Sequence, residues 1–126
     1  MSLRTPLGRV LGRGAAGEGT GHWWQQRVTA IALVPLSLWF FVGIIRHHAG
    51  LYVGVYDWLS RPWPALFAIL LVVTLAWHSK LGVQVVIEDY VHGKGTKTTL
   101  LLLSTFLHVL AAFAGVFALL RLALAS

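Results

Sequence analysis

The sequence predicts an all-α membrane protein with three transmembrane helices. Its 126 residues are 57% hydrophobic and 11% charged, which leaves too little polar surface to cover a soluble domain of this size. The hydrophobic residues form three long blocks and do not alternate with polar residues. Each block exceeds the roughly 20 residues that a helix needs to cross a bilayer. These two observations set the fold class.

The three predicted spans divide the chain into a tail and a membrane domain. The first span covers about residues 23–46, the second about 63–91 and the third about 98–121. Residues 1–21 are rich in glycine and arginine and lack the apolar core of a signal peptide. We therefore expect them to form a flexible or interfacial tail, followed by a three-helix anchor domain over residues 22–126.

The basic residues predict the orientation of the spans. An odd number of spans places the N-terminal tail on the same side as the loop between the second and third spans. The basic residues on that side are Arg4, Arg9, Arg13, Arg27, Lys94 and Lys97, and those on the other are Arg46, Arg61 and Arg121. The positive-inside rule predicts a cytoplasmic N-terminus and a periplasmic C-terminus in a bacterial inner membrane.

Composition also excludes several kinds of function. The net charge of +6 is spread over the ends of the apolar blocks and forms no basic tract, so nucleic acid is not an expected partner. The chain has no cysteine, which excludes disulfides, thiolate metal sites and iron–sulfur ligation within it. A metal would have to be bound by histidine.

His78, near the middle of the second span, is the first candidate site residue. An ionisable group costs at least ~2.5 kcal/mol near the centre of a membrane, so it raises a hypothesis of function. Gly82, one turn later, leaves a flat patch on which a macrocycle could lie while the imidazole reaches its iron. His78 is therefore a candidate haem ligand, although a lone intramembrane histidine can equally bond a neighbouring helix.

His108, near the middle of the third span, is the rival ligand. Thr105, Ala112 and Gly115 share its face, a pattern typical of small-residue packing between helices. His108 would then join two helices by a hydrogen bond. Alternatively, His78 and His108 could hold a haem within one chain.

Lys80 is a cation deep in the second span, where it needs a counter-charge. A haem propionate or a carboxylate of another subunit would supply one. The alternative is that the side chain snorkels to the cytoplasmic interface, with no partner at all.

Polar groups at the cytoplasmic edge of the membrane form a second candidate site. Glu88, Asp89 and Tyr90 lie where the second span ends, and Asp89 is three helical turns, about 16 Å, from His78 on almost the same face. Arg27, one turn into the first span, could pair with a propionate, a lipid phosphate or a partner protein. A solvated helix end also explains the carboxylates.

Residues 78–92, HSKLGVQVVIEDYVH, resemble the second helix of the small hydrophobic anchor subunit of succinate dehydrogenase, respiratory complex II. The shared pattern is a histidine, a glycine four residues later, a glutamine two after that, and then Asp-Tyr. Residues 27–31, RVTAI, are similar to the entry into the first span of that family, the smaller of two cytochrome b-type anchors. The three-helix layout covers residues 23–120.

The resemblance implies roles for individual residues. His78 would be an axial ligand of haem b, its iron being the metal bound, and Arg27 would lie near a haem propionate. Tyr90 would donate a hydrogen bond to a ubiquinone carbonyl, with Asp89 supporting that site. The chain is then not catalytic alone and has no catalytic residue of its own.

The resemblance also implies partners and leaves alternatives open. The expected partners are a second membrane anchor (cytochrome b) subunit, which supplies the other haem ligand, an iron–sulfur subunit, a flavoprotein subunit and the lipid bilayer. The helices would form part of a heteromeric bundle. A haem-free assembly or anchor protein of another respiratory complex is the alternative, because some members of the family lack haem. A small transporter ranks last, because the three short helices show no internal repeat.

Overall fold

The computed structural model describes residues 15–48 and 50–125. This part of the chain contains four helices and no strand: α1 (Ala15–Arg46), α2 (Tyr52–Leu59), α3 (Pro62–Tyr90) and α4 (Lys94–Ala125). Three of them are long and apolar enough to cross a membrane, over Gly21–Arg46, Pro62–Tyr90 and Lys94–Ala125. The predicted all-α membrane fold is confirmed.

The helices α1 and α4 begin earlier in the sequence than the predicted spans. α1 begins at Ala15, so residues 15–21, assigned to the tail from the sequence, are helical, whereas residues 1–14 lie outside the described residues. α4 begins at Lys94 and not near residue 98. The Thr98 hydroxyl donates back to the Lys94 carbonyl at 3.0 Å. The apolar pattern marks where a helix enters lipid, whereas the helical backbone hydrogen bonds can continue into the polar region outside the lipid.

The short helix α2 lies between the first two predicted spans, where the sequence predicts no helix. Trp58 holds it in place: its side chain is 5% exposed, and its ring stacks on His47 with centroids 5.1 Å apart and planes within 6°. Gly43 of α1 faces the same indole, and a Cβ added there would collide with it. Tertiary packing, not local propensity, therefore fixes α2.

α3 is the central helix, because it packs against both α1 and α4. At the α3–α4 contact, a Cβ added to Gly115 would lie 2.7 Å from Cγ1 of Val72. A side chain at residue 115 would therefore push the two helices apart. This close approach confirms the predicted small-residue packing of α4.

The described residues enclose almost no core of their own. The buried apolar side chains are Trp58, Ala65, Ala68, Leu81 and Leu119, and no described side chain is fully enclosed. Large apolar side chains are exposed along all three long helices. In a membrane protein, such surfaces meet lipid or the helices of other subunits.

Candidate functional site

His78 lies close to the midpoint of the 29-residue helix α3. The side chain is half-buried, and its Nδ1 atom is 2.9 Å from the hydroxyl oxygen of Thr29 on α1. The same hydroxyl oxygen lies 2.8 Å from the backbone carbonyl of Gln25, one turn earlier on α1. These hydrogen bonds join α1 and α3 near the middle of α3.

The partners of Thr29 determine which nitrogen of His78 carries the hydrogen. A hydroxyl has one hydrogen, and the carbonyl of Gln25 can only accept it. Nδ1–H of His78 then donates to the Thr29 oxygen, and the lone pair is left on Nε2. Within the described residues Nε2 makes no hydrogen bond. Metal-ligating histidines have this arrangement, in which the second ring nitrogen is fixed by an outer hydrogen bond.

Gly82 keeps the space next to His78 open. A Cβ built at residue 82 meets no atom within 4 Å, and Gly82 lies only about 40° around the helix from His78. A flat ring could therefore approach the imidazole on this side. The residues fit a haem held through a single histidine. Among the described residues, no group of three or more His, Asp or Glu side chains is placed to hold a metal ion.

His108 forms hydrogen bonds within the chain through both of its ring nitrogens. Its Nδ1 atom lies 2.8 Å from the Ser104 carbonyl, which can only accept, so Nδ1–H is the donor. Its Nε2 atom lies 3.0 Å from the hydroxyl of Ser79 on α3 and accepts that hydrogen. Both ring nitrogens are used, and no lone pair remains for a metal. The geometry favours the helix-joining role of His108 over the ligand role.

Arg27 is not next to His78. It precedes Thr29 by two residues, which places it about 200° around α1 from the hydroxyl that bonds His78. The guanidinium lies over the ring of Trp23, with its carbon 5.3 Å from the ring centroid. A contact between Arg27 and a propionate stays a prediction, and it requires the guanidinium to leave Trp23.

Asp89 and Tyr90 lie at the end of α3, as predicted. The helix is continuous from Pro62 to Tyr90, so Asp89 lies on the same face as His78 and about 16 Å along the axis. Both side chains are exposed, and the phenol-bearing residue is 77% exposed. Glu88 differs from them, because it accepts a hydrogen bond from Gln84 at 3.1 Å. The phenol and the carboxylate of Asp89 are thus accessible to a ligand or a partner.

Lys80 is held by an aromatic ring. Its Nζ atom lies 5.3 Å from the centroid of the Trp77 ring. A cation near the bilayer centre costs about 2.5 to 3.5 kcal/mol on insertion scales, and a desolvated cation–π contact returns about 2 kcal/mol. The contact with the indole therefore offsets only part of the free-energy cost of placing the Lys80 charge in the membrane.

Sequence reasoning missed two polar residues that make these contacts and one that makes none. Thr29 and Ser79 carry hydroxyls that form hydrogen bonds with the two intramembrane histidines. They lie in the segments 27–31 and 78–92, but their partners are on other helices, which the sequence does not reveal. His22 has a buried Nε2 without a hydrogen-bond partner. It lies two turns before Thr29 on the same face of α1.

The fold and the site together define a class of protein. Three spans, almost no core within the described residues, and an intramembrane imidazole with one nitrogen available describe one subunit of a larger membrane assembly. The comparisons with known proteins give the particular family.

Residues 1–119 match the family model described as the succinate dehydrogenase/fumarate reductase transmembrane subunit. The chain is 32% identical over 119 residues to the succinate dehydrogenase hydrophobic membrane anchor subunit of Rickettsia bellii, covering 91% of this chain and 94% of that one. It is 32% identical over 124 residues to the corresponding subunit of Paracoccus denitrificans, covering 98% and 95%. A membrane anchor subunit from Reclinomonas americana is 35% identical over 88 residues, covering 64% and 69%. No solved structure matches the chain.

The chain belongs to the family of succinate dehydrogenase/fumarate reductase transmembrane subunits. The resemblance found in residues 78–92 and 27–31 is thereby confirmed. The matched region includes α1, α2, α3 and most of α4, so the site described above lies within it.

Proposed function

We propose that this chain is the membrane anchor subunit of a succinate dehydrogenase, and that it helps to bind haem b and ubiquinone as electrons pass from an iron–sulfur subunit to the quinone. The observation that carries the proposal is His78, whose Nδ1 is fixed by Thr29 while Nε2 faces the open side at Gly82. Similarity to anchor subunits over nearly the whole chain supports it.

In this proposal, His78 Nε2 binds the haem iron and Thr29 orients the ring. Gly82 leaves room for the macrocycle, and Arg27 is the predicted partner of a propionate. A bound haem supplies one-electron redox chemistry at mid-membrane depth. His108 is bonded to Ser79 and Ser104, so a second iron ligand would be supplied by the other membrane anchor subunit.

The quinone site is assigned to the exposed end of α3. Quinone reduction takes up two protons with two electrons, so the site needs proton donors that are in contact with water. The Tyr90 phenol donates a hydrogen bond to a quinone carbonyl, and the Asp89 carboxylate passes protons from water. Both side chains are exposed, which fits a ligand that enters from the bilayer edge beneath a soluble partner.

The proposed assembly comprises the second anchor subunit, an iron–sulfur subunit and a flavoprotein subunit. The chain is a multi-pass membrane protein, and we place it in the bacterial inner membrane with its N-terminus in the cytoplasm. That orientation follows from the excess of basic residues on the N-terminal side. It brings Asp89 and Tyr90 to the side from which a cytoplasmic iron–sulfur subunit would deliver electrons.

Affinity purification of the tagged chain from its native membrane tests the assignment. We expect succinate dehydrogenase flavoprotein and iron–sulfur subunits to copurify, together with succinate–quinone reductase activity. Deletion of the chain should release the succinate-oxidising subunits from the membrane. A complex that lacks those subunits would contradict the proposal.

Thr29→Val should change the redox properties of the haem without removing it. Valine has nearly the same shape but cannot accept the hydrogen bond of His78 Nδ1–H, so the imidazole becomes a poorer donor to iron. We expect a higher midpoint potential and about tenfold weaker haem retention. A potentiometric titration of the purified complex measures the first effect.

Thr29→Ser is the matched control, because serine keeps the hydroxyl. It should preserve both the potential and the haem content. If the valine variant titrates like the wild type, Thr29 does not orient the ligand.

A further inference from the structure

The face of α3 that carries Lys80 is opposite the face that carries His78. Two residues correspond to about 200° around the helix axis, so a group bound at His78 lies on the far side of α3 from the ammonium. A haem propionate at the proposed site is therefore poorly placed to be the counter-charge of Lys80. The charge has to be matched on a separate surface.

The Lys80 side chain does not extend toward the nearer end of its helix. Lys80 is about 6 Å along the axis from the midpoint of α3, and the nearer end is at Tyr90. Its Nζ lies over Trp77, three residues back toward the distant end at Pro62. Side chains on a helix point toward its N-terminus, and for α3 this direction leads away from the nearer membrane boundary. The ammonium thus stays deep in the bilayer.

No acidic residue of this chain lies at that depth. The four are Glu18 near the start of α1, Asp57 in α2, and Glu88 and Asp89 at the end of α3. Asp57 pairs with Arg61 at 2.6 Å, and Glu88 bonds Gln84. A second copy of the chain, inserted in the same direction, would bring its acids to these same depths. The counter-charge therefore belongs to a different chain.

A cavity next to Lys80 can receive a side chain from such a partner. It has a volume of about 110 Å³ and lies between α3 and α4, where it is lined by Val73, Ala76, Trp77, Lys80, His108, Val109 and Ala112. His108 offers no negative charge to Lys80, and its ring nitrogens are bonded to Ser79 and Ser104. Trp77 is 46% exposed on this surface. Small side chains from both helices allow another helix to approach closely.

We infer that the surface formed by Trp77, Lys80, Val109 and Ala112 binds a transmembrane helix of a different subunit, and that an Asp or Glu carboxylate of that helix pairs with Lys80. The inference rests on the proposed membership in a complex, not on haem binding. Charge complementarity carries it, because a deep ammonium on a largely apolar surface that holds no acidic side chain selects an acidic partner over lipid tails.

The test compares Lys80→Met with Lys80→Arg in the full affinity-purified complex. Methionine removes the charge and leaves the partner carboxylate buried and unpaired, so we expect about a tenfold loss of copurified membrane subunit. After heating, the Lys80→Met complex should also dissociate at a lower temperature than the wild-type complex. Size-exclusion chromatography of the heated samples measures this dissociation. Arginine keeps the charge and should retain the partner.

Lys80→Met makes the span more apolar and should not impair membrane insertion, and immunoblotting of the membrane fraction checks this. Lys94→Met, at the exposed start of α4, is the control for loss of a charge and should leave the complex unchanged. If Lys80→Met matches or exceeds the wild type in partner recovery, Lys80 faces lipid and the inference is wrong. If the wild-type chain itself recovers no partner, the proposed function fails instead.

Discussion

His78→Ala is expected to abolish the b-type haem absorbance of the purified complex. Within the described residues, Nε2 of His78 makes no hydrogen bond, and an open surface lies next to the imidazole at Gly82. Alanine removes the imidazole proposed to bind the iron. The measurement is the reduced-minus-oxidised spectrum at equal subunit content.

His108→Ala is the matched control, since it removes a second histidine from the same depth. It breaks the hydrogen bonds to Ser79 and Ser104 and should cost about 1 to 3 kcal/mol in helix packing. Haem absorbance should nevertheless remain. The opposite pattern, haem lost with His108→Ala and retained with His78→Ala, would show that the ligand has been assigned to the wrong helix.

Tyr90→Phe should reduce the rate of quinone reduction by at least about tenfold. The change removes one hydroxyl from a side chain that is 77% exposed, so little packing is lost. It deletes the hydrogen-bond donor proposed for the quinone carbonyl and a route for proton delivery. Steady-state assays with ubiquinone should show the loss in turnover.

Succinate oxidation by an artificial soluble acceptor separates this effect from misassembly. That activity should remain near the wild-type rate, because the proposed function assigns succinate oxidation to other subunits. Tyr52→Phe is the matched control: Tyr52 is equally exposed, at 77%, but lies at the opposite end of the bundle, in α2. Loss of both activities in Tyr90→Phe would point to a structural role for Tyr90.

The spans could be predicted from the sequence because hydrophobic length is a local property. The position of Asp89 relative to His78 could also be predicted, because both lie on one uninterrupted helix with a fixed period. The start of α1 at Ala15 could not, since a helix that has left the lipid no longer has an apolar pattern. α2 depends on Trp58 packing against α1, a contact that spacing does not reveal.

The roles of His78 and His108 could be distinguished only with the three-dimensional structure. Thr29 and His78 are 49 residues apart in sequence, and Ser79 and His108 are 29 apart. From spacing alone, both histidines were equally central and both had small neighbours. The hydrogen-bond partners distinguish them: Thr29 leaves Nε2 of His78 available, whereas Ser79 and Ser104 use both nitrogens of His108.

The reduced-minus-oxidised spectrum of the affinity-purified complex, with its subunits identified, tests the central claim most directly. We predict a b-type haem signal in a preparation that contains this chain, a second membrane anchor, and the flavoprotein and iron–sulfur subunits of succinate dehydrogenase. A colourless complex of the same subunits that still reduces quinone would contradict the role of His78 and favour a haem-free anchor.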